Sequence, residues 1–379
     1  MVKFLLRGVS QRSAGRGGKI SHCIIEFIML KRYYFIGFLL LSACNSDESN
    51  HFNTTPPKQL TQNTGKDEDP TVIQAQDGKF YLAYFSDQDG NSEIWMTKSS
   101  NGTSWETPWK IIADPAGDFY PQLFQGIDGT FYLTWFRIAF DTNLQNYTFH
   151  VWFARSDDAI NWEGHKQLSE AVSTFNWVPS ITEDQNGDLL VAYVSGRLDA
   201  NKEIYLIRSD DKGVNWSSPT RITQNALSDD YPFIMQNDNG EYLLTWSRVD
   251  ESFGAFNPTA ENLLVTSTDG LTWSAPQVIS PPDPTTDFTD ILPHLCSETS
   301  GNKISVAWTS DRSGVGGDIF SSPLDQAGSN TFIQLTQGGT SYSCRLTPTQ
   351  TKSIYMMVWV SSANELTKPD IFYRFIKIE

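Results

Sequence analysis

This 379-residue sequence is poor in cysteine, with 4, in histidine, with 5, and in methionine, with 6. Four cysteines in a chain this long exclude a disulfide-built scaffold. The histidines show no ligand spacing, which excludes a zinc motif. There is no glycine-rich phosphate loop and no Gly-x-Ser-x-Gly elbow, so the common nucleotide-dependent and serine-hydrolase chemistries drop out. The body has no long apolar stretch of 3.6-residue period, which argues against a helical fold. Basic residues are scarce: 28 against 44 acidic ones, a formal net charge of −16. Beyond residue 43 the balance is 21 basic against 43 acidic residues. A surface that acidic repels nucleic acid and anionic lipid.

Aromatic residues and glycine are plentiful, with 12 Trp, 14 Tyr, 23 Phe and 26 Gly. That mixture favours half-buried strands separated by turns. Length alone suggests two or three domains, but all-β folds often exceed that rule.

The N-terminal region reads as an export signal. From Met29, Lys31 and Arg32 form a short positive region, and Tyr33 to Leu41 form an apolar run too short to span a bilayer. Leu41-Ser42-Ala43-Cys44 resembles the bacterial lipobox, which implies cleavage before Cys44 and lipidation of that residue. Residues 1–28 fit no signal pattern and are read as an extension upstream of a start at Met29, with 29–43 as the signal peptide. Asn45 follows the cysteine, and by resemblance to Gram-negative lipoproteins this points to the outer membrane. Residues 44–57 are polar, with Pro56-Pro57, and read as a tether. Cys296 and Cys344 then remain in an oxidising compartment; their different depths along neighbouring strands favour two free buried thiols over a bridge.

Internal repeats set the fold. An aromatic following an apolar run recurs at Tyr84, Trp135, Tyr193, Trp246, Trp308 and Trp359. Upstream of each lies another strand with a proline, at Pro70, Pro121, Pro179, Pro232 and Pro293, and SYSC344 takes that place in the sixth repeat. Downstream comes a third strand, as in Glu93-Ile-Trp and Asp318-Ile-Phe, and a fourth closes most repeats. Six such units over residues 58–379 predict an all-β, six-bladed β-propeller of four-stranded antiparallel blades. The sixth unit stops after its third strand. Lys58-Gln-Leu-Thr61 matches Ile333-Gln-Leu-Thr336 of the fifth unit and is expected to close the ring from the N-terminus.

Between third and fourth strands, Ser209-Asp-Asp-Lys-Gly-Val-Asn-Trp216 has the form S-x-D-x-G-x-x-W, with shorter versions ending at Trp105, Trp162 and Trp273. These motifs resemble the Asp box of the sialidase superfamily. Their role is expected to be structural: Asp accepts backbone N–H groups, Gly supplies positive φ and Trp plugs the blade.

Three residues before each proline position sit Asp67, Asp118, Asn176, Asp229, Asp290 and Ser341, a ring of mostly carboxylates at one mouth of the channel. Arg137, Arg197, Arg248 and Arg312 follow the second strands and should face that ring. One reading makes these inter-blade ion pairs that staple the ring. Segments such as SDQDGNSEIW resemble turns of periplasmic WD40-like propellers and agree with it. The other reading makes them a substrate site, with guanidinium forks for a carboxylate and a carboxylic acid for proton transfer. Trp177, Tyr120 and Tyr231 should crowd the same mouth, where they could stack on sugar faces. Clustered carboxylates could also hold Ca²⁺; otherwise no cofactor is implied.

The sialidase resemblance implies a site. Tyr342-Ser-Cys344 is similar to the string that carries that family's nucleophilic tyrosine. Asp89, or Asp87, falls where the family's acid/base aspartate sits, and Glu251 is a counterpart of its tyrosine-polarising glutamate. Arg248, Arg312 and Arg345 are counterparts of substrate-binding arginines by blade. The family's first arginine is missing: Glu68 occupies its place. A carboxylate there would repel a sialic-acid carboxylate by ~1–4 kcal/mol, which argues against an ordinary sialidase. The resemblance therefore implies a lipid-anchored, monomeric envelope propeller that recognises a glycan at the channel mouth, with hydrolysis as its enzymatic form. The alternative is a non-catalytic scaffold for envelope proteins. The membrane would be reached through the lipid on Cys44, and nucleic acid is excluded.

Overall fold

The computed structural model describes residues 55–378 apart from 113, 171–174, 197–200, 251–258, 283–287, 299–302, 314–315, 339 and 363–367. Among the described residues it forms six four-stranded antiparallel sheets, five of them up-and-down blades in chain order. The innermost strands are Asp67–Gln74, Gly117–Gln125, Asn176–Glu183, Ser228–Gln236, Asp290–Ser297 and Ser341–Pro348. In the sixth blade, Lys58 pairs with Tyr373 and Gln59 with Phe372, so the N-terminal strand completes the last sheet as expected. Leu60 N–H donates to Ile371 O at 2.7 Å, extending the closure by one residue.

The repeated aromatics account for the core. Tyr84, Trp135, Tyr193, Trp246, Trp308 and Trp359 are all buried, one per blade on the second strand. Four of them stack on an aromatic directly across the sheet: Trp135 on Trp152, Tyr193 on Tyr205, Trp308 on Phe320 and Trp359 on Phe372, with centroids 5.9–6.4 Å apart. Each such ring, if truncated to Ala, would cost about 3–5 kcal/mol. The Asp-box motifs are turns. Asp158 accepts from Ile160 N and Asn161 N at 2.8 and 2.7 Å, and Asp269 does the same with Leu271 N and Thr272 N. These backbone donors hold the Asp269 carboxyl down at about 2.

The proline repeat has a geometric meaning that goes beyond strand entry. Each inner strand starts three or four residues before the proline position, and its pairing register shifts there. The residue before the proline has positive φ in every blade: Asp69 51°, Tyr120 54°, Val178 47°, Tyr231 54°, Leu292 59° and Ser343 53°. Proline donates no N–H and is tolerated where a bulge interrupts the ladder. Five side-chain-bearing residues besides serine in the left-handed region are costly, so six repeats of the device mark a feature of the architecture.

Adjacent blades are clamped on the opposite face. Gln350 N, Gln76 N and Gln185 N each donate at 2.8 Å to the side-chain oxygen of Gln74, Gln125 and Gln236 on the next blade.

Candidate functional site

The six bulges let consecutive residues, rather than alternate ones, face the axis. The first of each pair is Glu68, Phe119, Trp177, Asp230, Ile291 or Tyr342; the second is Asp69, Tyr120, Val178, Tyr231, Leu292 or Ser343. Two successive contacts between the sixth and first blades show the effect. Tyr342 Oη donates to Glu68 Oε1, and Ser343 Oγ donates to Asp69 Oδ1 at 3.2 Å. Glu68, Asp69, Trp177, Tyr231 and Tyr342 stay partly exposed at the mouth, while Tyr120, Asp230 and Arg345 are buried below them.

Arg345 anchors this cluster. Its guanidinium donates to Cys344 O at 2.9 Å and to Tyr120 Oη at 3.0 Å, and lies 5.5 Å from the Tyr120 ring centre. On the far side, Lys202 Nζ bonds Asp230 Oδ2 at 2.5 Å and sits 4.4 Å from the Trp177 ring centre.

The electrostatics separate two carboxyl roles. Burial and the neighbouring Glu68 charge push Asp69 up to about 7, against the opposing pull of Arg345 and Ser343. Asp69 therefore holds its proton well above the usual carboxylate range. Burial, the Glu68 charge and its hydrogen bond hold the Tyr342 phenol far above its usual range. Tyr342 is therefore a neutral phenol whose proton already points at a base. Burial next to Arg345 pushes His294 down to about 3, and its Nε2–H donates to Leu346 O at 2.9 Å, while its buried Nδ1 meets no protein partner.

The Asp–Arg ring is architectural, and its pairs form within blades, which corrects the inter-blade expectation. Asp118 lies opposite Arg137 in the sheet, and Asp229 opposite Arg248. Arg137 holds both Asp118 oxygens at 2.8 and 3.0 Å and Asp114 at 2.8 Å. Arg248 Nε bonds Asp229 Oδ1 at 3.0 Å, and Arg312 bonds Asp290 Oδ2 at 2.5 Å. The ladder register dictates this: the start of the first strand and the end of the second are cross-strand neighbours. Arg248 and Arg312 are thus engaged by buried carboxylates rather than offered to a ligand. Arg197 lies outside the described residues. Among the described residues, no group of three or more His, Cys, Asp or Glu side chains could hold a metal ion. The carboxylates that suggested Ca²⁺ are taken up by protein donors, including Asn63 on Asp67 and Asn225 on Asp229.

Of the residues singled out in the sequence, Tyr342, Arg345, Tyr120, Tyr231 and Trp177 are brought to the mouth. Asp89 is not. It is half exposed and paired at 3.0 Å with Lys110 on the outermost strand of its blade, so it turns away from the axis. Asp69, bonded to Ser343, is the carboxyl group at the mouth beside Glu68. Glu251 and Cys44 lie outside the described residues. Glu68, read from sequence only as a lost arginine, is the carboxylate on Tyr342. Cys296 and Cys344 are buried and free.

No protein-family model matches this sequence. No curated protein matches it either. Solved structures do match the fold. A Dyadobacter fermentans protein of unknown function is 16% identical, with a TM-score of 0.71, over 87% of this chain and 100% of that one. An alpha-L-arabinofuranosidase of Fusarium graminearum, solved with arabinobiose, is 17% identical, with a TM-score of 0.66, over 86% and 98%. A Trypanosoma rangeli sialidase is 10% identical, with a TM-score of 0.58, over 82% of this chain but 55% of that one. The chain therefore shares the six-bladed propeller fold of sialidases and arabinofuranosidases.

Proposed function

We propose that this protein recognises a neutral glycan at the channel mouth and hydrolyses it, from a lipid-anchored position on the bacterial outer membrane. The observation that carries the reading is the Tyr342–Glu68 contact beside Asp69, whose carboxyl burial pushes up to about 7. Glu68 accepts the phenol proton as the Tyr342 oxygen attacks the anomeric carbon. The glycosidic C–O bond breaks, and Asp69 gives its proton to the leaving oxygen. Water, deprotonated by the Asp69 carboxylate, then displaces Tyr342, which recovers its proton from Glu68.

The neutrality of the substrate follows from charge. Glu68 stands where a sialidase would carry an arginine, and Arg137, Arg248 and Arg312 are engaged by Asp118, Asp229 and Asp290. A sugar carboxylate would meet repulsion, and Arg345, the guanidinium in the mouth cluster, is buried and bonded to Tyr120 Oη and Cys344 O. The likeness to an arabinofuranosidase fold agrees with an uncharged sugar. Anchoring rests on the Cys44 lipobox and is consistent with chain entry at Thr55, which pairs with Phe375 near the end of its strand, away from the mouth.

The test is a panel of fluorogenic glycosides, including an arabinofuranoside and a sialoside, with wild type and Tyr342→Phe. The expected result is turnover of a neutral glycoside that disappears in the variant, with the sialoside untouched. Intact turnover in Tyr342→Phe would remove the nucleophile. Silence on every glycoside would leave the non-catalytic scaffold.

A further inference from the structure

The second blade carries a feature that the mouth chemistry does not use. Its second and third strands, Phe131–Asp141 and Asn146–Ser156, are 11 residues each, against 7 for the same strands of the first blade. Gly117, the first residue of the inner strand, pairs with Ile138, so Ala139–Asp141 and their partners run past the blade on the mouth side. Three large side chains on the otherwise polar hairpin tip are open to solvent: Phe140 is 49% exposed, Leu144 55% and Tyr147 37%. Phe140 and Tyr147 pack edge to face, 5.2 Å apart. Scattered exposed apolar residues are ordinary, whereas a cluster on one projection marks a surface that something covers.

A chain of ring contacts runs from the mouth to the base of the hairpin. Phe119, at the mouth, stacks on Phe136 at 5.4 Å, and Phe136 meets Trp177 at 6.4 Å. From Trp177 the contacts continue through Phe175, at 4.6 Å, to Phe149, at 5.0 Å. Strand alternation puts Phe149 and Tyr147 on one face of the hairpin, with Phe136 and Phe140 on the matching face of its partner strand. Between the partly exposed rings near the mouth and the exposed pair at the tip, Ile138 and Phe149 are buried, so the exposed rings form two patches along one side of the hairpin.

We propose that this surface is a track for a neutral polysaccharide, seating sugar units beyond the one held at the mouth. The proposal rests on the glycan reading of the mouth and adds that the substrate is a polymer. The track begins at the mouth cluster itself, and flat aromatic rings match the apolar faces of sugars while leaving the sugar hydroxyls in water.

The experiment is native electrophoresis of the purified protein through gels containing linear arabinan, xylan, galactan or β-glucan. It is run beside Phe140→Ala/Tyr147→Ala, whose substitutions lie at exposed sites. Hydrolysis of arabinobiose and of arabinan is assayed in parallel. The expected result is retardation by at least one polymer, weakened about tenfold in the double variant, for two lost ring contacts. Tyr147→Phe should restore most of it. Equal retardation of wild type and double variant, or no retardation by any of the four polymers, would overturn the track. A protein retarded by polymer but hydrolysing nothing would keep the track and sink the hydrolytic reading. One that hydrolyses arabinobiose without retardation would do the reverse.

Discussion

Tyr342 donates its phenol proton to Glu68, 274 positions earlier in the chain and on the neighbouring blade. The contact joins the last blade to the first beside the seam where the ring closes. If the pair supplies nucleophile and base, Glu68→Gln and Tyr342→Phe should each lower kcat by about 10²–10⁴-fold on any glycoside the wild type cleaves. Both changes keep the side-chain shape, so the thermal midpoint should move little. A Tyr342→Phe variant that keeps kcat but melts far earlier would make the contact a seam and nothing more.

Asp69 gives a pH signature. Its folded-state value of about 7 lies above the ordinary value of 3.8, so the folded protein binds more protons than the unfolded chain between those limits. Stability is then greatest below pH 4, falls as pH rises toward 7, and is flat above it with respect to this group. Asp69 is partly open to the mouth, so the discounted effect is about 1–2 kcal/mol, a few degrees of melting temperature. Asp69→Asn should flatten that slope and gain on wild type at pH 8. Activity should carry the same group as a descending limb near pH 7, since the proton donor is lost there. Identical pH–stability curves for wild type and variant would sink the assignment.

The Asp118–Arg137 pair should behave as architecture. Asp118 is fully buried, and Arg137 is its bidentate partner. Arg137→Ala leaves that carboxylate uncompensated, a cost of about 3–5 kcal/mol. Arg137→Met with Asp118→Asn should recover much of the loss. Urea denaturation reads the difference, and KM for a cleaved glycoside should stay within about twofold of wild type. A large rise in KM with unchanged stability would return these arginines to the substrate.

The extent to which the fold can be read from sequence follows from what repeats. The second-strand aromatics and the Asp-box turns recur at a blade's spacing, so the architecture is legible. The bulge is not, because Tyr120, Val178 and Leu292 carry no residue-type mark of positive φ. Its indirect sign is a proline in the fourth or fifth position of an inner strand, where an uninterrupted ladder would need an N–H. The Asp–Arg pairs are misread as inter-blade for a related reason: only the ladder register shows that Asp118 and Arg137, 19 residues apart, sit opposite each other. Glu68 is invisible as a tyrosine partner because nothing local links residues so distant in the chain.

Closure by the N-terminal strand makes the last prediction. Lys58 and Gln59 pair with Tyr373 and Phe372, Leu60 N–H bonds Ile371 O, and Thr61 Oγ accepts from Ile371 N at 3.0 Å. The strand is short and its two paired residues are exposed, so it buries little apolar surface. Its effect lies in covering the edge of Asp370–Lys377, which would otherwise present unpaired N–H and C=O groups. A chain beginning at residue 63 should therefore melt several degrees lower and, more tellingly, associate with concentration, as the open edge recruits a second copy. Supplying the peptide Thr55–Gln62 in excess should reverse the association, because it restores the same backbone bonds. Light scattering of the truncated chain with and without that peptide reads both effects. A truncated chain that stays monomeric and melts with wild type would show that the blade closes without its fourth strand.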